Sequence, residues 1–143
     1  MKNVLLFKVN DRRLAFELPY VEQVVWTVAL QSASDHSEGF CGLMNLRGNI
    51  LPVFAMHTIL GLPAKPMELT DQLIICKSKN KKGAFWVSRT KEVREYSENE
   101  LLPTKDILSE SHHTNKFIKY VIKDKEELIF VYDVVKLLQD DEA

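Results

Sequence analysis

The sequence predicts a mainly β protein built as two small antiparallel barrels packed against each other, and three observations lead there. Short runs of Val, Ile, Leu and Phe recur about every 8 to 12 residues between charged or glycine-containing turns, the rhythm of compact all-β folds. The first half of the chain resembles the second, so the fold is duplicated. At 143 residues and 45% hydrophobic, the chain can bury one ordinary core or two small ones that share an interface.

The elements follow in order. Val4–Leu18 aligns without a gap to Leu73–Val87, each a hydrophobic strand, a charged tip and a second strand. Lys8 falls opposite Lys77, Ala15 opposite Ala84, Phe16 opposite Phe85 and, further on, Val24 opposite Val93. Pro19 is placed to start a short helix running through Val25. Gly48 and Asn49 tolerate positive φ, so they join a strand Leu43–Arg47 tightly to a strand Ile50–Ala55. Alternation puts Leu43, Asn45 and Arg47 on one face and Met44 and Leu46 on the other. Pro52 cannot donate to a ladder, so its strand is expected at a sheet edge or with a bulge, its two apolar faces covered by the other barrel or by a partner.

Ile50–Leu60 then aligns to Leu128–Leu138, a strand running into a short helical stretch, and Asp133 reads as the N-cap of a final helix through Gln139. The expectation is one domain over residues 1–143, with a first barrel repeat in 1–66 and a second in 67–143, exchange of strands between the halves being left open. The proline-containing stretch Leu62–Thr70 marks the seam. Glu98–Asn115, rich in Ser, Glu, His and Asn, reads as a long loop.

Composition excludes several functions. A net charge of -1 argues against nucleic acid, which demands a concentrated basic surface. The one basic cluster, Lys77–Lys82, reads as a solvated hairpin tip. Cys41 and Cys76 sit in apolar strands without a close-spaced motif and read as buried thiols in a reducing compartment. Met1 leads directly into a short strand, so neither a signal peptide nor a membrane span is expected and the location is cytoplasmic. His36, His57, His112 and His113 lack the spacing of a metal helix, and no activated nucleophile or phosphate loop occurs, so no enzyme and no cofactor or metal is expected. Trp26, Phe40, Phe54, Trp86 and Phe130 are expected in the core.

The duplication separates scaffold from recognition. Asn45-Leu46-Arg47-Gly48 has no counterpart in the second copy, where Ile122–Glu127 supplies an ordinary charged turn. Arg47 is therefore not needed to fold such a unit. An amide and a guanidinium beside apolar neighbours suit contact with another protein, which makes Leu43, Asn45, Arg47, Gly48 and Pro52 candidates. The structural alternative is that Arg47 pairs with an acid such as Glu22 or binds loop carbonyls.

Gly42-Leu-Met-Asn-Leu-Arg-Gly-Asn-Ile-Leu-Pro-Val-Phe54 resembles the signature of the CheW-type coupling proteins of bacterial chemotaxis: Gly, two apolar residues, Asn, Leu, Arg, Gly, a variable residue, two apolar residues, Pro and Val. The likeness extends over nearly the whole chain. It implies two packed SH3-like five-stranded barrels and a non-enzymatic adaptor that bridges the cytoplasmic tips of transmembrane chemoreceptors to the regulatory domain of a CheA-type histidine kinase. It implies a cytoplasmic location at membrane receptor arrays without direct membrane insertion. It also places Asn45, Arg47 and Gly48 in the partner-facing region, and Val21 and Val24 on a short helix bordering the groove between the barrels. The chain departs from that pattern at Gln23, Ala55, Ser88 and Tyr120, where Glu, Asp, Asp and Gly are usual. An alternative is a regulatory double barrel that binds a small molecule or another protein between its halves.

Overall fold

The computed structural model describes residues 1–103 and 115–140. The first copy contributes β1 (Lys2–Val9), β2 (Arg12–Glu17), β3 (Val21–Trp26), β4 (Phe40–Leu46), β5 (Asn49–Ala55) and helix α1 (Met56–Ile59). The second contributes β6 (Gln72–Lys77), β7 (Lys82–Val87), β8 (Arg89–Tyr96), β9 (Leu101–Leu102), β10 (Ile118–Asp124), β11 (Glu127–Tyr132) and α2 (Val134–Leu137).

Two sheets result, and each draws strands from both copies. Sheet 1 runs β8-β1-β2-β11-β10-β9 and sheet 2 runs β3-β6-β7-β5-β4. The repeat is visible in the register. Val131 lies beside Ala15 in the parallel pair β11·β2, and Val53 beside Ala84 in the parallel pair β5·β7. Even the closing contacts correspond: Gln31 bridges Leu43 of β4, as Leu102 of β9 pairs with Val121 of β10. The sixth strand of sheet 1 is thus the counterpart of a single bridge in sheet 2.

Apolar alternation on both faces of the hairpin strands builds three cores. In β1, Val4 and Leu6 join Ala15, Ile122, Ile129 and Val131 inside sheet 1. Leu5, Phe7 and Val9 face the other way, into a central core shared with Phe54, Ile74 and Phe85 of sheet 2. A third cluster, with Met44, Val53, Leu73, Ala84 and Trp86, fills sheet 2. Aromatic contacts cross the middle: Phe7 to Phe16 at 4.6 Å, Phe16 to Phe85 at 5.2 Å and Phe85 to Phe54 at 5.5 Å between ring centroids. This is the fold class read from the sequence, two packed SH3-like barrels about a shared core.

Several local expectations change. The helix expected from Pro19 to Val25 is a 3-10 turn at Leu18–Tyr20 followed by β3. Three β-branched valines and a full pairing partner in β6 favour the strand. β5 is not an edge strand, since it lies between β7 and β4. Pro52 is tolerated because pairing with β7 begins only at Val53, and the register irregularity falls in β4, between Phe40 and Gly42. Cys41 is exposed while Cys76 is buried, and Trp26, at 65% exposure, is not a core residue.

Asp133 caps α2 by accepting from Lys136 N–H at 3.2 Å, but the helix stops early, with Gln139 in the left-handed region at φ 56°. The basic tip is more than solvated. Asp140 accepts from Ser78 Oγ and from Asn80 N–H, and Lys81 Nζ donates to the Gln139 carbonyl at 2.8 Å. The expected loop from Glu98 opens with a capped 3-10 turn and β9, and residues 104–114 lie outside the described residues.

Candidate functional site

The β4–β5 hairpin projects from sheet 2. β5 meets β7 only from Val53 onward, so Asn49–Pro52 and the facing part of β4 form a two-stranded ribbon without a neighbour on the β7 side. Met44 and Leu51 pin the ribbon by one face to the sheet 2 core. The opposite face carries the cross-strand pairs Leu43–Pro52 and Asn45–Ile50. Leu43 and Pro52 are half-buried, whereas Asn45 and Ile50 are exposed.

The turn sits one residue earlier than the sequence suggests. Arg47 (φ 51°) and Gly48 (φ 89°) are its two central residues, and Asn49 already belongs to β5. Two successive positive φ values fit the twist of a hairpin, and such positions normally go to Asn and Gly. A long side chain in the left-handed region costs about 1–2 kcal/mol. Asn45 relieves part of this by accepting the Gly48 N–H on Oδ1 at 2.8 Å, which gives its side chain a structural task.

Arg47 itself is exposed and, among the described residues, makes no hydrogen bond or ion pair. Glu22, the acid considered for it, is taken by Lys82 at 2.8 Å. Among the described residues, neither Glu22 nor a loop carbonyl holds Arg47.

Leu43, Asn45, Pro52, Arg47 and Gly48 are thus brought together on one ribbon. Val21 and Val24 are not on it. They lie on β3, at the other edge in strand order, packed against the central core. Pairing relates the two sites by direction: Val21 faces Cys76, Cys76 faces Gly83, and Gly83 adjoins the start of the β5–β7 ladder. The Arg47 tip and Val21 consequently share one end of sheet 2. Ile50, 53% exposed, was missed by the sequence reading. Its position directly after a turn in an apolar run was the available signal.

The departures at Ala55, Ser88 and Tyr120 have local substitutes, while Gln23, half-buried opposite Ile75, has no structural account. Ala55 starts α1 without a side-chain cap, yet its N–H donates to the Gly39 carbonyl at 2.8 Å. Ser88 Oγ accepts the Asn10 N–H at 2.9 Å. Tyr120 is the register counterpart of Gly42, and its hydroxyl donates to Glu17 at 2.9 Å. Glu17 is only 6% exposed and also receives Lys119 Nζ at 2.7 Å. Burial pushes this carboxyl up, but Lys119, Tyr120 and Lys2 together bring it below its usual range.

Among the described residues, no group of three or more His, Cys, Asp or Glu side chains could hold a metal ion, and no helix is long and apolar enough to cross a membrane. The fold and this ribbon define a double-barrel module whose distinctive chemistry is presented at its surface. A CheW-like domain model matches residues 3–142. The chain belongs to the CheW-like domain family.

Known relatives agree in extent. The chain is 27% identical over 137 residues to a chemotaxis protein CheW of Thermotoga maritima, covering 96% of this chain and 87% of that one. It is 19% identical to a chemotaxis protein CheW of Helicobacter pylori, covering 94% and 80%. In fold it matches the crystal structure of scaffolding protein TtCheW from Thermoanaerobacter tengcongensis with a TM-score of 0.83 at 20% identity, over 99% of this chain and 95% of that one.

Proposed function

We propose that this chain is a cytoplasmic, non-enzymatic adaptor that couples the tips of transmembrane chemoreceptors to the regulatory domain of a CheA-type histidine kinase at receptor arrays. The observation that carries the reading is Arg47: an exposed guanidinium with no ion pair or hydrogen bond among the described residues, on a projecting ribbon, in a chain matched along its length by the CheW-like family. Leu43, Ile50 and Pro52 supply the apolar surround, and Val21 lies at the same end of sheet 2, with Val24 further along β3. A helical receptor tip would dock by apolar anchors, with the guanidinium fixing its register.

A small-molecule site in the groove beside Pro52 is less favoured. The cavity bounded by Pro52, Phe54 and Leu138 measures about 190 Å3, below the roughly 300 Å3 at which ordinary ligand sites begin.

Co-sedimentation with a receptor cytoplasmic fragment and a CheA-type kinase from the same organism tests the proposal. A ternary complex is expected, and Arg47→Ala should weaken it while shifting stability by less than about 0.5 kcal/mol, as for an exposed side chain without partners. Failure to bind either partner would sink the reading.

A further inference from the structure

At the end of sheet 2 away from Arg47, where β7 passes into β8, a cavity of about 380 Å3 opens at the seam of the two sheets. Four cations line it, Lys8, Lys65, Arg89 and Lys91, against two carboxylates, Glu68 and Asp71. Both carboxylates are committed. Asp71 accepts from Lys65 Nζ at 2.9 Å, from the Glu68 N–H at 3.0 Å and from Trp86 Nε1 at 2.9 Å, while Glu68 lies 3.7 Å from the same Lys65. Among the described residues, the side chains of Lys8, Arg89 and Lys91 have neither an ion pair nor a hydrogen bond.

This arrangement is not what the sheet itself favours. Arg89 stands directly opposite Lys8 in the β1·β8 register, and Lys8 stands opposite Arg13 in β1·β2. Like charges placed opposite each other destabilise a sheet. The duplicated copy keeps the hairpin pair, with Lys77 opposite Lys82, but lacks the cations of β8. In the alignment that sets Val24 against Val93, Arg89 corresponds to Tyr20 and Lys91 to Glu22. Glu22 neutralises Lys82 at 2.8 Å, so the first copy cancels charge where the second accumulates it.

Neutral donors complete the lining. Ser88 N–H donates to the Lys8 carbonyl at 3.0 Å, and Ser88 Oγ accepts the Asn10 N–H, which fixes the hydroxyl and leaves its proton free to donate. Thr70 adds a second hydroxyl. A planar guanidinium fork, point-charge ammonium groups and hydroxyl donors are the set that binds phosphate oxygens.

We propose that this cavity binds a multiply charged phosphate, with Arg89 and Lys91 as its main ligands and Lys8 and Ser88 completing the shell. The proposal goes beyond the adaptor reading and stands without it, because its test contains no partner protein. Calorimetric titration of the full chain with inorganic diphosphate at low ionic strength should show saturable one-site binding. Arg89→Ala and Lys91→Glu should each weaken it by about tenfold or more, the effect of losing one charge-assisted contact. Lys123→Glu makes the same charge change on β10, outside the cavity lining, and should leave affinity within about twofold, since screened distant charges contribute little.

A parallel titration with ADP separates the sources. Equal affinity supports recognition of the phosphate group alone, and tighter binding supports a nucleoside phosphate. Arg89 and Lys91 are exposed, so both variants should melt with the parent. Absence of saturable binding by the parent chain would overturn the proposal. So would wild-type affinity in both cavity variants, or an equal loss in Lys123→Glu, which would reduce the effect to net charge.

Discussion

Replacing Phe85 by alanine should unfold both barrels together. Phe85 is fully buried on β7, stacked at 5.5 Å on Phe54 of its own sheet and edge-on at 5.2 Å to Phe16 of the other. Loss of a core phenylalanine, its aromatic contacts included, costs ~3–5 kcal/mol, which places the expectation near 4 kcal/mol. At this chain length, roughly 4 °C per kcal/mol puts the melting temperature down by about 15 °C. Tryptophan fluorescence reports on sheet 2, which holds Trp26 and Trp86, while amide exchange in β10 reports on sheet 1. The two midpoints should fall by the same amount, because the central core belongs to both sheets. Midpoints that separate, or a loss below about 1 kcal/mol, would refute the view of one shared core.

Tyr120→Phe removes the hydroxyl donor to buried Glu17 and should cost about 1–2 kcal/mol in a urea melt. Wild-type stability would mean that Lys119 and Lys2 suffice for that carboxylate. His57 is buried edge-on against Trp86 at 4.6 Å, and burial followed by the Lys65 charge lowers its pKa, with Asp71 opposing. The unfolded chain therefore takes up a proton, as pH falls below the ordinary histidine value of 6.5, that the folded chain resists. Stability should be full above that value and decline below it, and a His57→Phe variant should lose this part of the slope in urea midpoints measured across it; an unchanged slope would count against the assignment. Gln139 holds φ 56° where the first copy has Gly61 at φ 76°. Gln139→Gly should accordingly raise stability by up to about 1 kcal/mol, read as an increased melting temperature, since the Lys81 contact is to the backbone carbonyl and is kept; an unchanged or lower melting temperature would count against it.

Much of the architecture was legible because the hairpin strands are apolar on both faces, a pattern that survives without knowledge of tertiary contacts. The self-alignment of Val4–Leu18 with Leu73–Val87 recovered two real hairpins, and Asp133 was found as a cap because capping chemistry is local. What failed depended on distant partners. Val21–Val25 became a strand because β6 pairs with it, and Pro52 sits inside a sheet because the side toward which its missing N–H points cannot be read from sequence. Trp26 and Ile50 are exposed because they lie at strand ends, beyond the cover of the cores. In the candidate site, Arg47 was singled out by its absence from the second copy. The seam cations went unnoticed because Lys8 and Arg89 are far apart in the chain and meet only through the β1·β8 register.

That register has a consequence for how the chain is made. All strands of sheet 2 lie between Val21 and Val87, whereas sheet 1 joins Lys2–Glu17 to strands that begin at Arg89, so one barrel is threaded into the sequence of the other. During synthesis from the N-terminus, the inserted barrel has every strand available before β8 emerges. The β1–β2 hairpin, first to be made, must wait for the last strand, β11, before Ala15 finds Val131. A nascent chain would thus hold an early apolar hairpin against a finished barrel until its own barrel is completed.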